Sequence, residues 1–145
     1  MKLLRTLALY TVTVLTLYIS VAKADVVVII NEANNDIIDK ARIRDIYSDL
    51  ISQWSNGNAI HIVELSPRSR IREVFSTNVL GVSARESASA WANRKITNTM
   101  KNAKPKIKRE SAAVAAVKRN INAIAYVSDK AVEGQTGIKV LMRIK

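Results

Sequence analysis

The chain has 145 residues, with 23 Lys or Arg against 12 Asp or Glu, one His and no Cys. Without cysteine there is no disulfide framework, no thiol nucleophile and no zinc–thiolate site. A formal net charge of +11 points to anionic partners, or to charge that serves solubility alone.

The chain opens with Lys2 and Arg5, runs apolar from Leu7 to Val21 and then reaches Ala22-Lys23-Ala24. A positive start, an apolar middle and an A-x-A end predict a cleavable secretory signal peptide over residues 1–24. The apolar stretch is short for a membrane span, which needs about 20 apolar residues. The mature chain is then 25–145, periplasmic or otherwise exported, and not an integral membrane protein once cleaved. Its length suits one compact domain. Removing Lys2, Arg5 and Lys23 leaves 20 basic against 12 acidic residues, a net of +8. Outside the cytoplasm nucleic acid is not an expected partner.

Val26–Ile30 is a continuous β-branched run, as expected of a strand buried on both faces. Asn31 to Asn35 reads as loop. Asp39 is placed to cap a helix running to about Asp49, with Ile43, Ile46, Tyr47 and Leu50 on one face. Trp54 precedes the turn Ser55-Asn56-Gly57-Asn58. Ile60–Leu65 reads as a second strand. Ser66-Pro67-Arg68-Ser69 then starts a helix with Ile71, Val74, Phe75 and Val79 inward and Gly81 as its stop. Ser83 and Glu86 spell a capping box for a helix through Trp91. Arg94–Arg109 holds seven Lys or Arg and no acid, with Pro105 inside, and reads as an exposed basic loop. Ser111 is the expected cap of a further helix with Val114 and Val117 inward. Ala123–Val127 and Ile138–Ile144 read as strands. This alternation predicts an α/β domain, a mostly parallel sheet flanked by helices.

Four stretches carry a family likeness: ADVVVIIN, IRDIYSDLISQW with NGN and AIHIVEL, SPRSRIREVF, and SAAVAAVKRNINAIAYVS. Trp91 and Pro105 fall at matching places. In this order they resemble the small, single-domain relatives of phosphate ABC-transporter substrate-binding proteins, over nearly the whole mature chain. The resemblance implies a single-lobe type 2 periplasmic-binding-protein-like sandwich, with phosphate or a similar small oxyanion as ligand. Ser69 matches the family's phosphate-contacting serine, and Arg72 an arginine common at its place. Glycines of the family pattern are replaced by Arg68, Arg70 and Ala125.

The residues add their own reasons. A helix start offers unpaired N–H groups and the positive end of the helix dipole, where an anion settles. The Ser69 hydroxyl can donate to it, and Arg68, Arg70 and Arg72 supply charge and forked donors. Asn31 closes the first strand, and ligands of open α/β sheets bind beyond the carboxyl ends of strands. The ligand-binding candidates are therefore Ser69, Arg68, Arg70, Arg72 and Asn31. His61 is the only histidine, so neither a metal site nor a cofactor is expected. No catalytic constellation stands out, and a binding role is favoured over an enzyme. The second reading is a ligand-free interaction or structural protein of the envelope. It would use the Arg94–Arg109 loop to bind an envelope protein or a polyanion. That loop has no aromatics, which argues against base stacking. Anionic lipid or glycan is a third partner class for it.

Overall fold

The computed structural model describes residues 25–145. The expected signal peptide lies outside the described residues. Five strands form one sheet: β1 (Val26–Asn31), β2 (His61–Glu64), β3 (Lys106–Ile107), β4 (Ala123–Ser128) and β5 (Ile138–Ile144). Their order is β3-β2-β4-β1-β5. β2 runs parallel to β3 and to β4, whereas β1 is antiparallel to both β4 and β5. Four of the five strands therefore point one way and β1 alone points against them.

The centre of the sheet is apolar throughout because both of its faces are covered. Val26 to Ile30 of β1 have no exposed surface, and Ala123 to Val127 of β4 are equally buried. Each fully buried Ile or Val here contributes roughly 1.5–3 kcal/mol of transfer free energy. Helix α4 (Glu110–Arg119) packs on β4, β1 and β2, and helix α2 (Arg70–Phe75) on β4 and β1. Successive strand residues face opposite sides. His61 meets Asn120 just beyond α4, and Glu64 meets Arg72 of α2, so the two helices lie on opposite faces.

Helix α1 (Lys40–Tyr47) is capped by Asp39, whose carboxylate accepts from the Arg42 N–H at 2.8 Å. It buries Ile43, Ile46 and Tyr47. Leu50 is not part of that face: the helix ends at Tyr47, Asp49 adopts φ 64°, and Leu50 is left exposed. Helix α2 widens into a π-helical turn, Ser76–Leu80, which Gly81 stops at φ 73°. Helix α3 (Ala84–Ile96) begins at the Ser83–Glu86 capping box and runs on through Trp91 to Ile96. A short helix, α5 (Asp129–Val132), follows β4.

Two expectations need correction. The Arg94–Arg109 segment is not a free loop. Its first residues finish α3, Lys106–Ile107 form β3, and Asn102 and Pro105 are buried. The buried Asp49 carboxylate holds its middle by accepting from the N–H groups of Lys101 and Asn102 at 2.9 and 2.8 Å. Ser111 is not the cap of α4 either. Arg109 occupies that position, without a side-chain capping bond, and Ser111 lies inside the first turn.

Candidate functional site

Strands β2, β3 and β4 are parallel and each runs directly into a helix. Their carboxyl ends therefore bring the starts of α2, α4 and α5 to one rim of the sheet, where open α/β folds hold ligands. An open cleft of about 640 Å³ lies there. Leu65, Ser66 and Ser69 line it from the β2 side, and Ile107 to Ser111 from the β3 side.

Ser69 is the N-cap of α2. Its Oγ accepts from the Arg72 N–H at 3.4 Å, a long bond that leaves the hydroxyl proton free to donate. Opposite it, α4 starts at an N-cap that makes no side-chain bond, so the first-turn N–H groups of Glu110, Ser111 and Ala112 have no intrahelical acceptor. Lys108 and Arg109 add positive charge to the same lining. The one acid there, Glu110, is engaged: its carboxylate accepts from the Ser128 N–H at 2.5 Å. The arrangement offers a hydroxyl, two sets of helix-start N–H groups and two cations to an anion.

The other candidates are placed differently. Arg68 and Arg70 are exposed beside Ser69 and do not line the cleft. Arg72 lies inside the protein, 1% exposed. Its Nη1 donates to the Leu65 carbonyl at 2.7 Å, and its Nε lies 3.4 Å from Glu64. It holds the backbone that floors the cleft and does not face a ligand there. Asn31 is at the opposite rim, because β1 runs against β4 and its carboxyl end points the other way. Its Nδ2 donates to the Val117 and Lys118 carbonyls, 2.9 and 3.0 Å away, at the far end of α4. A helix of that length separates the two places by about 15 Å.

Beneath the cleft sits a buried polar cluster. The Tyr126 hydroxyl donates to Glu64 Oε2. Tyr126 also stacks on Phe75 at 4.0 Å, and Tyr47 meets Phe75 edge-on at 4.7 Å. Burial raises the Glu64 carboxyl above its ordinary 4.5, against the opposing pull of Arg72, Tyr126 and Trp91. Burial, with Glu64 beside it, also pushes the Tyr126 hydroxyl far up. The Trp91 indole acts on Glu64 from outside hydrogen-bond geometry, and both its Nε1 and Glu64 Oε1 are without a partner. His61 bonds Asn120 at the amino end of β2, away from Ser69.

Sequence reasoning put Lys108 and Arg109 in the basic Arg94–Arg109 segment but not beside Ser69, and it missed the α4 start. The available signal was a polar strand-like pair, Lys106-Ile107, directly ahead of a helix. Among the described residues no group of three or more His, Asp or Glu gathers as a metal site, and no helix is long and apolar enough to cross a membrane.

The sequence matches the PBP superfamily domain over residues 16–140. No curated protein matches it. Among solved structures, the fold is similar to an ABC-type phosphate transport receptor from Vibrio cholerae (17% identity, TM-score 0.61), covering 82% of this chain and 46% of that one. It is also similar to a possible phosphate binding protein from Planctomyces limnophilus DSM 3776 (16% identity, TM-score 0.60), covering 81% of this chain and 41% of that one. The chain therefore spans less than half the length of either structure.

Proposed function

The chain belongs to the PBP superfamily domain family, and from that premise we propose that residues 25–145 are an exported solute-binding-like module that takes phosphate or a similar small oxyanion in the Ser69 cleft. The observation that carries this reading is the meeting of two helix starts, α2 and α4, with Ser69, Lys108 and Arg109 around one open cleft. Oriented N–H groups together with nearby cations favour an anion over a neutral solute. The names of the two structural neighbours, each tied to phosphate, agree with that choice. Export rests on residues 1–24, and amino-terminal sequencing of secreted protein should begin at Asp25.

Affinity should be modest, because an open cleft leaves much of the anion in water, where charge pairs are weak. Calorimetry on residues 25–145 at low salt tests the reading. Saturable phosphate binding in the millimolar range is expected. Ser69→Ala should weaken it by about tenfold, the loss of one hydrogen bond to a charged group. Arg109→Gln should weaken it also. No heat from folded protein at tens of millimolar phosphate would end the proposal.

A further inference from the structure

We propose that β3 is a docking edge for an extended segment of a partner protein in which acidic side chains alternate with apolar ones. This inference does not depend on oxyanion binding in the Ser69 cleft.

β3 ends the sheet. Lys106 sits beside Val63 and Ile107 beside Glu64 on β2. The Lys108 N–H donates inward to the Glu64 carbonyl at 2.9 Å. Alternate residues of a strand turn their backbone groups opposite ways, so Ile107 presents its N–H and C=O to the outer side. Ile107 is itself 54% exposed. An open donor and acceptor on an edge strand are what an added strand pairs with.

The two faces flanking this edge differ in chemistry. On the α4 face is a cleft of about 320 Å³ walled by Lys104, Lys106, Lys108 and Arg119, with His61 at its end and no acid in its lining. The three lysines fall at alternate positions, Lys106 in β3 and Lys104 and Lys108 just outside it. On the other face is a mostly apolar cleft of about 440 Å³ formed by Pro67, Trp91, Ile96, Pro105 and Ile107 above Glu64, with Lys95 and Lys104 also in its lining. Ile96 is 81% exposed there. A strand laid along β3 would direct every second side chain to the lysines and the others to the apolar cleft. Alternating acidic and apolar residues satisfy both at once.

A membrane surface fits less well, since it has no strand to pair with the outward N–H and C=O of Ile107. Lysines on an edge strand also deter aggregation. That role requires repulsion alone and leaves the apolar cleft on the other face without a purpose.

The test uses residues 25–145 and a short labelled peptide alternating glutamate with valine or leucine. A second peptide has the same composition with acids and apolar residues in separate blocks. Fluorescence anisotropy should show saturable binding of the alternating peptide, about tenfold tighter than the blocked one. Lys106→Glu should weaken it about tenfold by placing like charges together. Lys139→Glu, on β5 at the opposite edge of the sheet, should leave it unchanged. Equal binding of the two peptides, equal damage by Lys106→Glu and Lys139→Glu, or no binding at millimolar peptide would each overturn the proposal. So would binding to phosphatidylglycerol vesicles with none to either peptide. The peptide comparison leaves the protein unaltered, so it stands whatever a substitution does to folding.

Discussion

Glu64 and Arg72 form an ion pair with both side chains almost fully buried, at 1% and 2% exposure. Removing one partner of such a pair leaves a buried charge without compensation, which costs about 3–5 kcal/mol. Arg72→Met should therefore lower stability by roughly that amount. Adding Glu64→Gln to it should recover part of the loss, because the stranded charge is gone; urea unfolding of the three proteins checks both. The pH dependence follows from Glu64. Its folded carboxyl titrates above 4.5, so the folded state binds more protons than the unfolded state just above that pH. Stability must then fall as pH rises from about 4.5 through the raised value. The difference in stability between wild type and Glu64→Gln should shift in that direction over this window and be flat below it. The sequence does carry a sign of this pair: Glu64 is an acid inside IHIVEL, a strand buried apart from His61, and a buried acid needs a partner. Arg72 reads from sequence as a ligand contact because its charge and the family pattern both point outward. Only the packing of α2 against β2 shows that it turns in.

At the scale of elements, the strands legible in the sequence are those whose burial is complete. β1 and β4 are continuous apolar runs of strand length, and a short β-branched run bounded by polar residues has little else to become. β3 has no such run; its two residues are exposed, and it exists as a strand through pairing with β2. Asn31 misleads for a related reason. Its position at a strand end is plain, but the direction of β1 against β4 is set by long-range pairing that local sequence does not encode. Local capping is readable. Ser83 Oγ accepts from the Glu86 N–H at 3.1 Å, and the Glu86 carboxylate accepts from the Ser83 N–H at 2.8 Å. Ser83→Ala should cost about 1 kcal/mol. The Ser83 backbone N–H, with the Ser83 hydroxyl second, holds the Glu86 carboxyl below its ordinary value, so this contribution is present above pH 4.5 and lost as pH falls through the lowered value. Acid titrations of wild type and Glu86→Gln should accordingly converge at low pH, whereas the deficit of Ser83→Ala should persist there. α4, by contrast, lacks a side-chain cap, and its free N–H groups are what it brings to the Ser69 cleft.

On the scale of the molecule, the net charge of +8 on residues 25–145 sets two effects of salt against each other. Self-repulsion in the folded state is screened by salt, so thermal stability should rise between about 10 and 300 mM NaCl as the Debye length shortens to about 6 Å or less. Attraction of an anion to Lys108, Arg109 and the two helix starts is screened by the same salt, so phosphate affinity should fall over that range. A ligand that binds only the folded chain stabilises it by mass action, by about 2.7 kcal/mol when present at a hundred times its dissociation constant. Phosphate and chloride at matched ionic strength then separate specific binding from screening. If phosphate occupies the Ser69 cleft, it should raise the melting temperature beyond chloride at low salt. The excess should shrink at high salt and should be largely absent in Ser69→Ala. An equal rise with both anions would mean that the positive charge of this domain is merely being screened. The Ser69 cleft would then be no more than the meeting of helix starts that three parallel strands produce.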